Sequence, residues 1–233
     1  MLADALGVDR AMIVADSGRA VPPAAARLFG ERVRRRVMRE PVAYILGRQA
    51  FRHIELEVDG RVLIPRPETE LLVESAIEMP EGATVHDLGT GSGAIALAIK
   101  QERPDMVVSA SDISAGALDA ARANAARLHL DVRIGPDPDF EVDLLVANLP
   151  YVREDEWSGL QPEIRVYEPR TALVSGDDGL DAIRALVAMA PAGTQLALEH
   201  APAQAAAVRA LLVGPETLPD LAGRERVTLG SVP

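Results

Sequence analysis

Apolar residues recur at three- and four-residue intervals from Met1 to about Gly47, the spacing that builds one face of a helix. Pro22 and Pro23 suit the first turn of a helix running to about Arg39. Residues 1–47 are therefore expected to form a small helical unit. The stretch from Phe51 to Val58 then alternates, with apolar Ile54, Leu56 and Val58 set against polar His53, Glu55 and Glu57, and Asp59-Gly60 supplies a turn. That pattern predicts a β-hairpin connector within residues 48–66. After Pro65 and Pro67, helical spacing returns from Glu68 to about Met79.

Beyond this point short apolar runs alternate with helical patterns. The strands expected are Ala83–Asp87, Met106–Ser111, Val132–Ile134, Asp143–Ala147, Gln195–Glu199 and Arg226–Leu229, with helices starting near Gly93, Ser114, Gly179 and Ala203. Strand and helix in regular alternation give parallel strands joined by right-handed crossovers, with helices on both faces. Residues 67–233 thus read as one doubly wound, mostly parallel α/β domain. No internal repeat interrupts it.

Composition narrows the classes. The 233 residues are 48% hydrophobic and 25% charged, and no apolar run approaches the roughly 18 residues of a membrane helix, so a soluble protein is expected. The absence of cysteine removes disulfides, thiolate metal sites and cysteine nucleophiles together. His53, His86, His129 and His200 show no ligand spacing, and no metal is expected. Gly91-Ser92-Gly93 is not a nucleophile elbow, because Thr90 stands where the first glycine is required. No secretory signal opens the chain, which points to the cytoplasm. A net charge of −11 disfavours a nucleic-acid substrate. The one basic cluster, Arg32, Arg34, Arg35, Arg36 and Arg39, is either a solvated helix face or a surface that steers an acidic or RNA-bearing partner.

In an open α/β sheet, ligands bind at the carboxyl ends of the strands. The first strand-to-helix turn reads Asp87-Leu88-Gly89-Thr90-Gly91-Ser92-Gly93, so its glycines follow G-x-G-x-G rather than the dinucleotide spacing G-x-G-x-x-G. Asp112 ends the next strand, where a carboxylate can accept hydrogen bonds from both hydroxyls of a ribose. The plainer alternative is a tight turn plus a helix-capping Asp112. Asn148-Leu149-Pro150-Tyr151 ends the fourth strand, a position where asparagine and proline also make ordinary turns.

The Asn148-Leu149-Pro150-Tyr151 segment resembles the Asn/Asp-Pro-Pro-Tyr motif of class I methyltransferases that act on amide or exocyclic amino nitrogens. An amide nitrogen is a poor nucleophile, because its lone pair is delocalised into the carbonyl. A side-chain oxygen at Asn148 and the backbone carbonyl of Leu149 would accept its two N–H groups and aim it, while Tyr151 packs on the planar group. Alignment of this kind lowers the barrier without a dedicated general base.

Further segments are similar to the release-factor glutamine methyltransferases. They are Pro41-Val42-Ala43-Tyr44-Ile45-Leu46-Gly47 with Phe51, Val62-Leu63-Ile64-Pro65-Arg66-Pro67-Glu68-Thr69-Glu70, Glu168-Pro169-Arg170-Thr171-Ala172-Leu173 and Gly176-Asp177-Asp178-Gly179-Leu180-Asp181. The resemblance implies a seven-stranded methyltransferase sheet that holds S-adenosylmethionine at Asp87, Gly89, Thr90, Gly91, Ser92 and Gly93, with Asp112 on the ribose and Asn148 beside the methyl. It implies Arg66, Pro67, Glu68, Asn148 and Tyr151 as substrate contacts. The implied substrate is the glutamine of a Gly-Gly-Gln loop in a bacterial release factor, which the helical N-terminal unit helps to hold. Three features depart from the family: Leu149 replaces a proline, the 135–140 segment is short, and the helical unit is reduced. Asn-Leu-Pro-Tyr also occurs in enzymes that methylate adenine N6, so that activity and a non-catalytic paralogue that binds a translation factor are the alternatives.

Overall fold

A computed structural model describes all 233 residues. The N-terminal unit contains α1 (Leu2–Leu6), α2 (Arg10–Ala15), α3 (Pro23–Val37) and α4 (Val42–Leu46). Asp9 caps α2 by accepting the amide of Ala11 at 2.8 Å, the side-chain capping that a short helix needs to satisfy its first donors. Helix α3 buries only Ala25, so apolar packing is not what holds it. Ion pairs from its last turns and from Arg39 just past its end tie it down. Arg32 pairs with Asp4 at 2.5 Å and Arg35 with Glu40 at 2.5 Å, while Arg36 and Arg39 both grip Glu163, far along the chain, at 2.6 and 2.7 Å. The basic cluster is neither a bare solvated face nor a free anion surface, since only Arg34 of its five members lacks an ion pair.

The hairpin pairs β1 (Arg48–Phe51) with β2 (Ile54–Glu57), and Phe51 faces Ile54 across a turn at Arg52-His53. The expected turn at Asp59-Gly60 is present, closed by the amide of Val62 on the carbonyl of Asp59 at 3.1 Å, but it follows the hairpin rather than joining its strands. Arg52 takes the left-handed conformation at φ 47° and is braced by Glu102 and Glu74, so tertiary ion pairs support a turn that no glycine marks. Asp59 instead turns the chain out of the hairpin, accepting the amide of Arg61 at 3.0 Å.

A three-residue turn at Pro67–Thr69 leads into α5 (Glu70–Ile77). The main sheet then follows as β3 (Thr84–Leu88), α6 (Ala94–Glu102), β4 (Val107–Ser111), α7 (Ala115–Leu128), β5 (Arg133–Gly135), β6 (Leu144–Ala147), α8 (Pro162–Tyr167), α9 (Asp181–Met189), β7 (Gln195–Glu199), α10 (Ala205–Arg209), β8 (Val213–Pro219) and β9 (Glu225–Ser231). The strand order is β5-β4-β3-β6-β7-β9-β8, and all neighbours are parallel except at β9, which runs antiparallel to both β7 and β8. The expected doubly wound sheet is present. Its seventh strand, β8, carries no alternating pattern because it is an exposed edge with a bulge at Gly214-Pro215, just after its first residue.

Burial explains the near-continuous apolar runs. Along β6, Leu144 and Val146 enter one core with the hairpin, α5 and α6, while Leu145 and Ala147 enter the other with Leu186 of α9 and Val208 of α10. A strand covered on both faces needs apolar side chains at every position. Each fully buried leucine among them contributes about 1.5–3 kcal/mol through removal of apolar surface from water.

Candidate active site

The carboxyl ends of β3, β4, β6 and β7 form one edge, and the expected site residues gather there. After β3, the amides of Gly89 and Thr90 donate to the carbonyl of Ser111 at 2.8 and 3.0 Å, which stitches the glycine turn to the end of β4. Gly91 takes φ 56° and would carry a Cβ with no atom within 4 Å, so its backbone faces open space. A larger residue there would be strained and would fill the approach to the turn.

The buried members of the motif hold the turn from behind. Asp87 is fully buried and accepts from Thr90 Oγ1 at 2.6 Å and from the amide of Ala96 at 3.2 Å. Burial pushes its carboxyl up to about 7, against the pull of those two donors. Its Oδ1 has no partner. Ser92 is buried, and its carbonyl accepts from Asn124, which also joins the backbone of Glu57; the hairpin, α7 and the glycine turn thereby share one hydrogen-bonding centre.

Asp112 does not cap α7. Ser114 does, accepting the amide of Ala117 at 3.3 Å. Asp112 accepts the amides of Gly91 at 2.9 Å and Ser114 at 2.8 Å, one on each oxygen. A carboxylate has about four lone-pair sites, so two remain for ribose hydroxyls. Ile113, which follows it, is 98% exposed, and sequence periodicity gave no reason to single it out.

At the end of β6, Asn148 donates from Nδ2 to Thr69 Oγ1 at 3.0 Å. Leu149 lies over the glycine turn, with its Cδ2 3.2 Å from the position of a Cβ on Gly89. Pro150 is half-buried between it and Tyr151. The Tyr151 hydroxyl donates to Glu199 Oε1 at 3.1 Å, at the end of β7, and burial raises the phenol's pKa. The next residue continues the support: Val152 pairs with the 173–175 backbone through its amide at 2.8 Å and its carbonyl at 2.9 Å. Gln204 donates to the carbonyls of Tyr151 and Asp178, both at 2.9 Å.

The connector forms the opposite wall. Glu168 is buried, accepts the amide of Ile64 at 3.1 Å and binds the Arg66 guanidinium, so the Glu168–Leu173 segment clamps the Ile64–Pro67 loop. Arg66 then lines a cleft with Leu63, Asn148, Tyr151, Val152 and Leu173. Pro67 starts the turn that delivers Thr69 to Asn148, and Glu68 lies 3.7 Å from Arg224 in the β8–β9 loop. Thr69 and Glu199 are the residues that motif reading missed. Glu199 had one signal, its place at the end of a strand next to the one that bears Asn148.

An open glycine turn, an acid with spare lone pairs, an exposed apolar side chain beside it and a polar asparagine across the gap fit a ligand with ribose, adenine and amino-acid parts. No group of three or more His, Asp or Glu side chains is arranged to hold a metal ion. With a seven-stranded sheet whose β9 alone runs antiparallel, this site defines a class I S-adenosylmethionine-dependent methyltransferase. The fold matches the 16S rRNA N2 G1207 methyltransferase of T. thermophilus, solved with AdoMet and guanosine, at a TM-score of 0.55 and 15% identity over 80% of this chain and 50% of that one.

Sequence comparison narrows the class. Residues 1–47 match the PrmC N-terminal domain and residues 67–158 the methyltransferase small domain. The chain is 43% identical to the release factor glutamine methyltransferase of Neisseria gonorrhoeae over 95% of its own length and 87% of that protein's. With the enzyme of the same name from Pseudomonas aeruginosa it shares 44% identity, over 99% and 90% of the two chains. The chain belongs to the release factor glutamine methyltransferase family.

Proposed function

We infer that the protein transfers a methyl group from S-adenosylmethionine to the side-chain nitrogen of a glutamine in a peptide-chain release factor, giving N5-methylglutamine. The observation that carries this reading is Asn148, held at the strand end beside the glycine turn with Nδ2 committed to Thr69 and Oδ1 left to accept. The cofactor supplies an electrophilic methyl on a sulfonium. In this reading Gly89 to Gly93 and Asp112 hold the cofactor, with Asp87, Thr90 and Ser92 keeping the turn in shape. Asn148 Oδ1 and the Leu149 carbonyl accept the two N–H groups of the glutamine amide and point its nitrogen at the methyl. Tyr151, tethered through its hydroxyl, forms the wall beside the planar group. Alignment contributes several kcal/mol, on the order of 7 or more in well-oriented cases, without an acid–base pair.

Arg66, Pro67 and Glu68 form the substrate-side rim. Residues 1–47 serve as the recognition unit, 48–66 as the connector and 67–233 as the catalytic domain. Arg36, Arg39 and the Tyr167 hydroxyl, which donates to the carbonyl of Met38 at 2.7 Å, support a fixed placement of the first unit on the third. The glutamine of a Gly-Gly-Gln loop is the acceptor this arrangement suits. No helix is long and apolar enough to cross a membrane. The cytoplasm, where release factors act, is the compartment this reading calls for.

Adenine N6 of a nucleic acid is less well served, because the chain carries −11 net charge and its arginine cluster is spent on internal ion pairs. Radiolabelled methyl transfer to an unmethylated release factor, run beside RNA and DNA, tests the choice. Label in the release factor alone is expected; label in nucleic acid alone refutes the reading.

A further inference from the structure

Asn124 lies on α7 one turn beyond Ala121, and a Cβ on Gly93 would meet Ala121 at 3.4 Å, so this face of α7 packs directly behind the glycine turn. The Asn124 side chain is fully buried. Its Oδ1 accepts the amide of Glu57 at 2.8 Å, with a longer contact from Arg127 at 3.4 Å, and its Nδ2 donates to the carbonyls of Glu57 and Ser92, both at 3.0 Å. Donors face one end of the amide and two carbonyls face the other, so only one orientation satisfies them all.

The Ser92 carbonyl has no helical partner to fall back on. At the start of α6 its partner would be the amide of Ala96, four residues on, and that amide goes to Asp87 Oδ2 at 3.2 Å instead. Ser92 is flanked by the residues that shape the turn: Gly91, open on its Cβ side and bonded to Asp112 at 2.9 Å, and Gly93 at φ 86°. At the other end of the bridge, Leu56 and Val58 on either side of Glu57 are buried in the main core, and the amide of Val58 donates to the carbonyl of Gly47 at 3.2 Å, at the end of α4.

We propose that Asn124 is a positioning residue for S-adenosylmethionine, which keeps the glycine turn in its binding shape by anchoring the Ser92 carbonyl to the hairpin. This rests on the reading of Gly89 to Gly93 as the cofactor turn. The hairpin, far from the cofactor in sequence, is then part of what sets cofactor affinity, and a single side chain makes the connection. Without the Nδ2 donor, the buried Ser92 carbonyl must stay unpaired or turn towards water, and a turn that has rotated no longer presents Gly91 beside Asp112. Aspartate at this position keeps the shape and an acceptor for the Glu57 amide, but its carboxylate offers Ser92 no donor. Leucine keeps only the volume.

The test uses the full-length protein with Asn124→Asp and Asn124→Leu, titrated calorimetrically with S-adenosylmethionine. Cofactor binding needs no acceptor, so the result does not depend on which substrate is methylated. Both variants are expected to bind about ten-fold more weakly, the scale set by one unpaired buried carbonyl. In steady state the loss should fall on KM for S-adenosylmethionine and not on kcat at saturating cofactor or on KM for the release factor, a split that a general loss of stability would not give. Should Asn124→Leu fail to fold, Asn124→Asp decides. In the wild type, the side-chain NH2 resonances of Asn124 and the backbone amide of Glu57 are expected to move on saturation with S-adenosylhomocysteine, and the Glu57 amide to stay fixed in Asn124→Asp. Wild-type affinity in the variants, or Asn124 resonances that ignore the cofactor, overturns the proposal. A wild type that binds no S-adenosylmethionine would overturn the cofactor reading of the turn, and the proposal with it.

Discussion

A Cβ on Gly179 would fall 2.2 Å from the carbonyl oxygen of Tyr151 and 2.5 Å from Gln204 Nε2, at a backbone φ of +77°. The Gly176–Asp181 segment is thus pressed against the last residue of the asparagine turn, and only a residue without a side chain allows it. Gly179→Ala must push Tyr151 outward or break the Gln204 bridge. Backbone strain of this kind is worth about 1–3 kcal/mol, so Tm is expected to fall. Methyl transfer should fall by about ten-fold or more as the amide-binding turn shifts. Thermal unfolding alongside steady-state kinetics checks both; an active, fully stable variant would show that the two segments are not coupled.

Leu149 and Gly89 give a second coupled pair. Gly89→Ala brings a methyl to 3.2 Å from Leu149 Cδ2 while forcing alanine into φ +76°. S-adenosylmethionine affinity is expected to drop. Adding Leu149→Ala should recover the steric part of the loss and leave the backbone part, so the double-mutant cycle is non-additive by at least about 0.5 kcal/mol in binding. Calorimetric titration of the four proteins measures it, and strict additivity would mean that the leucine does not press on the turn.

Glu163 holds Arg36 of α3 and Arg39 just beyond its end, and their hydrogen bonds, Arg36's first, keep its carboxyl below the ordinary value of 4.5. A depressed carboxylate contributes stability that is present above its unfolded pKa and lost as pH falls through the folded one. Glu163→Gln is therefore expected to lower Tm at neutral pH and low salt, with the gap closing as acid protonates the carboxyl and shrinking in high salt. Scanning calorimetry across pH and ionic strength reads this out. A gap that ignores both would assign the contact to packing rather than charge.

Asp87 gives the opposite sign. Its carboxyl is raised from 3.8 to about 7 by burial, so the folded protein holds a proton that the unfolded chain has released. That contribution is complete below about pH 4 and is lost as pH rises through about 7. Denaturant titrations of wild type and Asp87→Asn, compared at pH 5 and pH 8, should show the wild type losing stability relative to the variant at the higher pH. A constant difference would mean that Asp87 is ionised throughout.

How far the chain announced this architecture depends on which force shapes each element. Strands β3, β6 and β7 are covered on both faces, and their apolar runs and glycine or asparagine ends were readable from residue types alone. Edge strand β8 has almost no buried side chain to pattern it, and the hairpin turn at Arg52-His53 is upheld by Glu74 and Glu102, far along the chain. The site divides in the same way. Asp87 to Gly93, Asp112 and Asn148 to Tyr151 stand at strand ends with recognisable spacing. Thr69, Glu199 and the clamp of Glu168 on Arg66 act through contacts that only the folded chain brings together.

The central claim is that this site methylates a glutamine side chain in a release factor, and mass spectrometry of the Gly-Gly-Gln peptide tests it most directly. An unmethylated release factor incubated with the enzyme and S-adenosylmethionine should gain one methyl on that glutamine, and Asn148→Ala should abolish the gain while the protein stays folded. An unmodified glutamine in the presence of bound cofactor, or methylation that survives Asn148→Ala, would contradict the account.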